Sequence, residues 1–232
     1  MSWSRAAIIG AGGGIGGALA DALEERGTEV LRLSRSAAAP ELRLNVEDEG
    51  SIALAAESCG RGGPLDLVLV ATGVLQGDGF TPEKSWRDLD GTALAHYFAL
   101  NATGPALVAK HFLPLLPREG RATFAALSAR VGSIGDNRLG GWYGYRASKA
   151  ALNMLIKTLA IELARKRPEA VCVGLHPGTV DTRLSEPFQR GVPEDKLFKP
   201  DYSAGKLLAV LDELSPEDSG SCFAWDGERI AP

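Results

Sequence analysis

Tyr145 and Lys149 stand four residues apart in Tyr145-Arg146-Ala147-Ser148-Lys149, so a helix would put a phenol and an ammonium on one face. An unperturbed tyrosine titrates near ~10 and is a poor acid or base at neutral pH, whereas a neighbouring cation favours the phenolate and lowers that value. The pair could therefore exchange a proton with a substrate oxygen. Its plainer alternative is an aromatic core residue followed by a solvated lysine. The helix itself is predicted over Tyr143 to Ala164, from apolar residues at Leu152, Leu155, Ile156, Leu159, Ile161 and Leu163 and the absence of proline before Pro168.

A second group of residues suits an anion. Gly10, Ala11, Gly12, Gly13, Gly14, Ile15 and Gly16 follow the apolar run Ala6-Ala7-Ile8-Ile9 and open a helical pattern from Ile15 to Arg26. Glycines after a strand allow a tight turn and close approach of backbone to phosphate, and the helix N-terminus adds N–H donors. Gly12, Gly14 and Gly17 also satisfy the G-x-G-x-x-G spacing, so strand, loop and helix together point to a dinucleotide. The next strand, Glu29 to Leu33, ends in Ser34-Arg35, with no Asp or Glu before Glu41. An acid there would favour the ribose hydroxyl of NAD, and an arginine the 2′-phosphate of NADP, so NADP is the expected coenzyme.

These groups must be held by an alternating chain. Further strands are expected at Glu41–Asn45 (weaker), Leu65–Val70, Arg121–Leu127, Ala170–Leu175 and Cys222–Trp225. Helices are expected at Glu47–Ser58, from Trp86 to about Leu113 with a bend at Gly104-Pro105, and at Tyr202–Leu214. Repeated strand–helix–strand units with continuous apolar strands predict an α/β Rossmann fold. It would be a doubly wound, mostly parallel sheet of about seven strands, helices on both faces, as one domain over residues 1–232. The aperiodic, proline-bearing stretch around 182–200 reads as a substrate loop or lid, against an irregular surface loop.

Composition narrows the function. With 232 residues, 45% hydrophobic, the chain can fill a sizeable core, and a net charge of −4 argues against nucleic acid or an anionic membrane as partner. Arg165-Lys166-Arg167 is expected to serve the C-terminus of its own helix. Cys59, Cys172 and Cys222 have neither disulfide nor metal-ligand spacing, and His96, His111 and His176 are dispersed. The expectation is no metal, no signal peptide, no membrane span and a reducing cytoplasm.

In this order and separation, the glycine loop and Tyr145-x-x-x-Lys149 resemble the short-chain dehydrogenase/reductase family across essentially the whole chain. Within it, the loop carrying Asn137 to Trp142 and the ending Phe223-Ala224-Trp225-Asp226-Gly227 look like the C-factor and sniffer-like carbonyl reductases. The resemblance places Asn45-Val46 beside the adenine, Ala71-Thr72-Gly73 where the family has Asn-Ala-Gly, and Pro177, Gly178, Val180 and Thr182 along the nicotinamide and pyrophosphate. It makes Asn101 the helix asparagine of the catalytic tetrad, anchoring a water that links Lys149 to solvent. Aligned on Gly132, the family's serine falls on Ala129; Ser128, one residue earlier, is favoured here and Ser133 is the alternative. The implied activity is hydride transfer between nicotinamide C4 and a carbonyl or alcohol carbon. Tyr145 would exchange the proton, Lys149 would depress its pKa and hold the ribose, and the serine would polarise the carbonyl. A small-molecule carbonyl or alcohol is the expected substrate, with Trp142, Tyr143, Phe188 and Phe198 as candidate pocket residues, and a homodimer or homotetramer the expected assembly. Two other readings stay open: an NAD-linked dehydrogenase, and a coenzyme-binding sensor or signalling protein without turnover.

Overall fold

The computed structural model describes residues 3–77, 79–190 and 193–232. Six short strands, β1 (Arg5–Ile9), β2 (Glu29–Leu33), β3 (Leu67–Val70), β4 (Thr123–Leu127), β5 (Val171–His176) and β8 (Cys222–Ala224), form one sheet in the order β2-β1-β3-β4-β5-β8. Every pairing in it is parallel. Two more strands, β6 (Thr179–Val180) and β7 (Leu197–Phe198), pair only with each other.

Alternation along each strand divides the core in two. On one face Ala7, Ile9, Val68, Val70 and Phe124 meet α2 (Glu49–Gly60), α4 (Gly104–Phe112) and α5 (Tyr143–Ala164) through Ile52, Val108, Phe112, Leu152 and Ile156. On the other, Ile8, Leu67, Leu69, Val173 and Leu175 meet α1 (Gly14–Glu25) and α6 (Pro200–Glu213) through Leu19, Leu23, Leu207 and Leu211. Each large aliphatic side chain so buried contributes roughly 1.5–3 kcal/mol. The strands read as unbroken apolar runs because helices cover both faces.

Four expectations are revised. The Glu41–Asn45 segment is a 3-10 turn at Pro40–Leu42 followed by a single bridge from Ser34 to Arg43, so the sheet has six strands; Pro40 lacks the N–H a ladder requires. The long helix from Trp86 breaks into a 3-10 turn at Trp86–Asp88, α3 (Gly91–Phe98) capped by Asp90, a π-turn at Ala99–Thr103, and α4. At the expected Gly104-Pro105 the π-turn passes into α4 with helical dihedrals at Thr103 and Gly104, and Pro105 cannot donate to the carbonyl four residues back, that of Asn101. Arg167 serves not its own helix end but the neighbouring turn, donating to the carbonyls of Pro114, Leu116 and Pro117. Finally α6 starts at Pro200, two residues before Tyr202.

Candidate active site

The parallel register brings Gly10, Ser34, Ala71, Ser128 and Pro177 just past the carboxyl ends of β1 to β5. The chain reverses its direction of sheet growth between β1 and β3, which opens a crevice there. Gly10 adopts φ 94° and its N–H donates to Leu33 O at 2.8 Å; a Cβ there would lie 3.0 Å from the Ala71 carbonyl carbon. A Cβ on Gly16 would stand 2.2 Å from Gly10 O, so the turn excludes any side chain at that place. Gly12 faces Ser34, and the Gly14 backbone meets Thr182. Gly13, the N-cap of α1, offers no side-chain acceptor, and the first turn that holds Gly14, Ile15 and Gly16 carries no acid. Its N–H groups and dipole are therefore available to a phosphate. Arg35 is exposed at the rim. Val46 is buried against Gly104, while Asn45 Oδ1 accepts from Glu47 N at 3.3 Å. Thr72 Oγ1 is buried with no hydrogen-bond partner among the described residues. A cradle of Cβ-free backbone, a basic rim and an orphaned hydroxyl fit a dinucleotide.

Tyr145 lies in the first turn of α5, half-buried, its ring edge-on to Tyr97 and Trp142 at 6.4 and 6.2 Å. Lys149 is buried one turn further on and donates to Leu127 O at 2.8 Å. Burial pushes the phenol up to about 12 and the amine down to about 8, each because the charged form loses water. In this ligand-free arrangement desolvation is what moves both groups. Asn101 is fully buried in the π-turn, a local irregularity common at functional sites. Its Oδ1 accepts from Val74 N at 2.9 Å, and its Nδ2 donates to Val74 O at 2.9 Å and Ser148 Oγ at 3.1 Å. Both carboxamide protons are therefore spent on tying the β3 exit loop to α5. A Cβ on Gly73 would stand 3.3 Å from Asn101 Oδ1 and 3.6 Å from Lys149 Nζ, so these three residues converge.

The candidate serines have partners of their own. Ser128 Oγ donates to Asn153 Oδ1 at 2.6 Å, and Asn153 is eight residues beyond Tyr145 on α5, about 12 Å along the axis. Ser133 Oγ donates to Pro232 O at 3.3 Å and accepts from Asp136 N at 3.0 Å. Ala129 is buried and extended at the strand exit. Sequence reasoning missed Val74, Ser148 and Asn153 as partners of the site; Ser148 was legible as the i+3 neighbour of Tyr145, the other two only through the fold.

Around the crevice, Ser203 Oγ donates to Pro177 O at 2.8 Å, and Gly178 adopts φ 78° against Phe198 and Trp225. The 182–200 stretch is bracketed by the β6–β7 pair and carries Phe188, whose ring meets Trp142 at 5.2 Å; Gly191 and Val192 lie outside the described residues. Phe198 packs on Tyr202 and Trp225 instead. A groove of about 860 Å³ lies at the amino ends of the strands, lined by Pro64, Lys110, Leu115 and Arg167, and contains none of the expected site residues. Among the described residues no helix is long and apolar enough to cross a membrane, and no three His, Cys, Asp or Glu residues are grouped to hold a metal ion.

Residues 4–192 match the family model described as short chain dehydrogenase. The chain is 37% identical to C-signal of Myxococcus xanthus over 172 residues, covering 72% of this chain and 93% of that protein. It is 32% identical to 1-hydroxy-2-glutathionyl-2-methyl-3-butene dehydrogenase of Rhodococcus sp. (strain AD45) over 237 residues, 97% of each. Its fold superposes on the NADPH-bound carbonyl reductase from chicken fatty liver with TM-score 0.84, at 26% identity and full coverage of both chains.

Proposed function

Because the chain belongs to the short-chain dehydrogenase family, we propose that this NAD(P)-dependent oxidoreductase prefers NADP and interconverts a carbonyl and a secondary alcohol, with Tyr145 exchanging the proton. The observation that carries the reading is the convergence of Lys149, Asn101 and Gly73 at the strand ends, with the Tyr145 ring 5.9 Å from Lys149 Nζ, beside the glycine cradle. When bound, the coenzyme supplies or accepts the hydride. The cradle from Gly10 to Gly16 would hold its pyrophosphate, Ser34 and Arg35 its 2′-phosphate, Asn45 and Val46 would border the adenine, and Ala71, Thr72, Gly73, Pro177, Gly178, Val180 and Thr182 would line the remainder.

Burial keeps the Tyr145 phenol protonated at neutral pH, which suits donation to an oxygen gaining negative charge and so favours reduction. Lys149 orients the site from beneath, held by Leu127 O, and Asn101 fixes the loop against which the substrate and coenzyme would rest. Ser128 enters as the polarising hydroxyl only by exchanging Asn153 for the substrate oxygen; wild-type kcat in a Ser128→Ala variant rejects that role. The 182–200 stretch acts as the lid, with Phe188 and Trp142 on its inner side. The exposed Met154 and Ile161 on α5 support a homodimer or homotetramer, and a monomer mass by light scattering rejects it. The NADPH of the chicken reductase supports the coenzyme assignment.

The test is NADPH oxidation over a panel of small carbonyls. Tyr145→Phe is expected to bind NADPH normally and lose ~10²–10⁴ of turnover, the range of a lost general acid. Full turnover in that variant rejects the reading. The likeness to C-signal favours a second reading, a coenzyme-binding signal protein. NADPH binding without turnover on any carbonyl would select it.

A further inference from the structure

We propose that Glu83 is a positioning residue for the proton-transfer site: it caps the first turn of α5 from a distant loop and fixes the left-handed Trp142, so that the Tyr145 and Trp142 rings stand together. This rests on the function proposed above.

Helix α5 lacks an ordinary N-cap. Trp142 holds that position with no side-chain hydrogen bond, at φ 51° and ψ 44°. It is the one non-glycine residue with positive φ among those described, a conformation that strains a bulky side chain and needs outside support. Support comes from residue 83, on the loop between β3 and α3. The Glu83 main-chain carbonyl accepts from Trp142 N at 2.6 Å, and its carboxylate accepts from Gly144 N at 3.3 and 3.2 Å. Glu83 is buried. A buried carboxylate is costly unless something compensates it, and the N-terminus of a 22-residue helix supplies both a donor and a favourable dipole.

The neighbouring geometry leaves little slack. A Cβ on Gly144 would fall 2.3 Å from the Tyr97 ring and 3.0 Å from Glu83 Oε1. Arg146 closes the other side of the turn, donating to Gly140 O and Gly141 O at 3.2 and 3.0 Å. A serine or aspartate at 142 would cap the helix locally. Here that place is given to an indole whose ring touches both Tyr145 and Phe188, and the capping task passes to Glu83. Tyr145 immediately follows the capped Gly144, so a loosened first turn would displace the phenol directly.

Glu83→Ala and Glu83→Gln in the full chain test this by three readouts: NADPH affinity, steady-state kcat and KM, and amide hydrogen exchange of residues 140–148. The alanine variant should keep NADPH affinity, exchange faster in that segment, and lose kcat on the order of 10²-fold, the scale of a slightly misplaced catalytic group. Glutamine retains an acceptor and should restore most of both. Three results would each overturn the proposal: unchanged exchange and kcat in the alanine variant, faster exchange with wild-type kcat, or a glutamine variant as impaired as alanine. A wild-type protein that turns over no carbonyl sinks the functional reading itself, and the wild-type control separates that failure from the others.

Discussion

Lys149 Nζ stands 5.9 Å from the ring centroid of Tyr145 and spends its hydrogen bond on the carbonyl of Leu127, at 2.8 Å. A full charge at that separation would stabilise a phenolate by ~3 kcal/mol at an effective dielectric of about 20. Burial acts the other way on both groups, raising the phenol to about 12 and lowering the amine to about 8. At neutral pH the pair is a neutral phenol beside a still largely protonated ammonium.

That sets the pH dependence. Reduction of a carbonyl should keep its protonated donor to about pH 10, with one break near 8 as Lys149 loses its proton. Alcohol oxidation, which needs the phenolate, should climb through pH 10 without reaching a plateau. Steady-state profiles in both directions check this, and an oxidation rate that levels off near pH 7 would show that another group takes the proton.

Lys149 should also leave a mark on stability. Its pKa falls from 10.5 unfolded to about 8 folded, so between those values the unfolded chain holds the extra proton and stability rises with pH. The full effect is on the order of 3 kcal/mol. Urea midpoints should therefore rise from pH 8 toward 10 in the wild type relative to Lys149→Met, which carries no such titration. The variant should lose turnover and weaken NADPH binding whatever its stability. Parallel pH curves for the two proteins would contradict the buried-amine account.

The sequence made α5 readable to the residue, Tyr143 to Ala164, because its apolar spacing and the distant Pro168 bound it unambiguously. The glycine loop was readable for the same kind of reason, a local signal set between a strand and a helix. Ser128 was not. Alternation says that 128 and 129 face opposite sides, but which side reaches Tyr145 depends on how β4 lies across α5, and the structure sends Ser128 to Asn153. Glu83 had no local signature at all, since its partners are 59 to 61 residues away in sequence. The burial of Lys149 was not legible either, because helix spacing reports proximity and says nothing of desolvation.

Arg35 is exposed, beside the Ser34 that faces Gly12. Arg35→Ala should lower the NADPH-over-NADH preference in kcat/KM by roughly 10- to 100-fold, the worth of a charge-assisted bond of 1.5–3 kcal/mol. Thermal stability should hold within about 0.5 kcal/mol, as for a surface substitution. An unchanged coenzyme ratio would reject the 2′-phosphate contact.

His176 ends β5 with Nδ1 buried and lacking a hydrogen-bond partner among the described residues. Burial first and the Arg130 charge second hold its imidazole down at about 4, with Asp226 opposing only in part. The unfolded chain takes up the proton near 6.5, so from there down to about 4 it binds more protons than the folded one, and stability falls as pH falls. The loss is on the order of 3 kcal/mol across that window. His176→Asn cannot titrate and should flatten this part of the curve, while above pH 7 the two proteins should keep a constant difference. Urea denaturation at intervals from pH 7 to 4.5 makes the comparison. Equal acid sensitivity of wild type and variant would place the proton uptake elsewhere and remove His176 from the account.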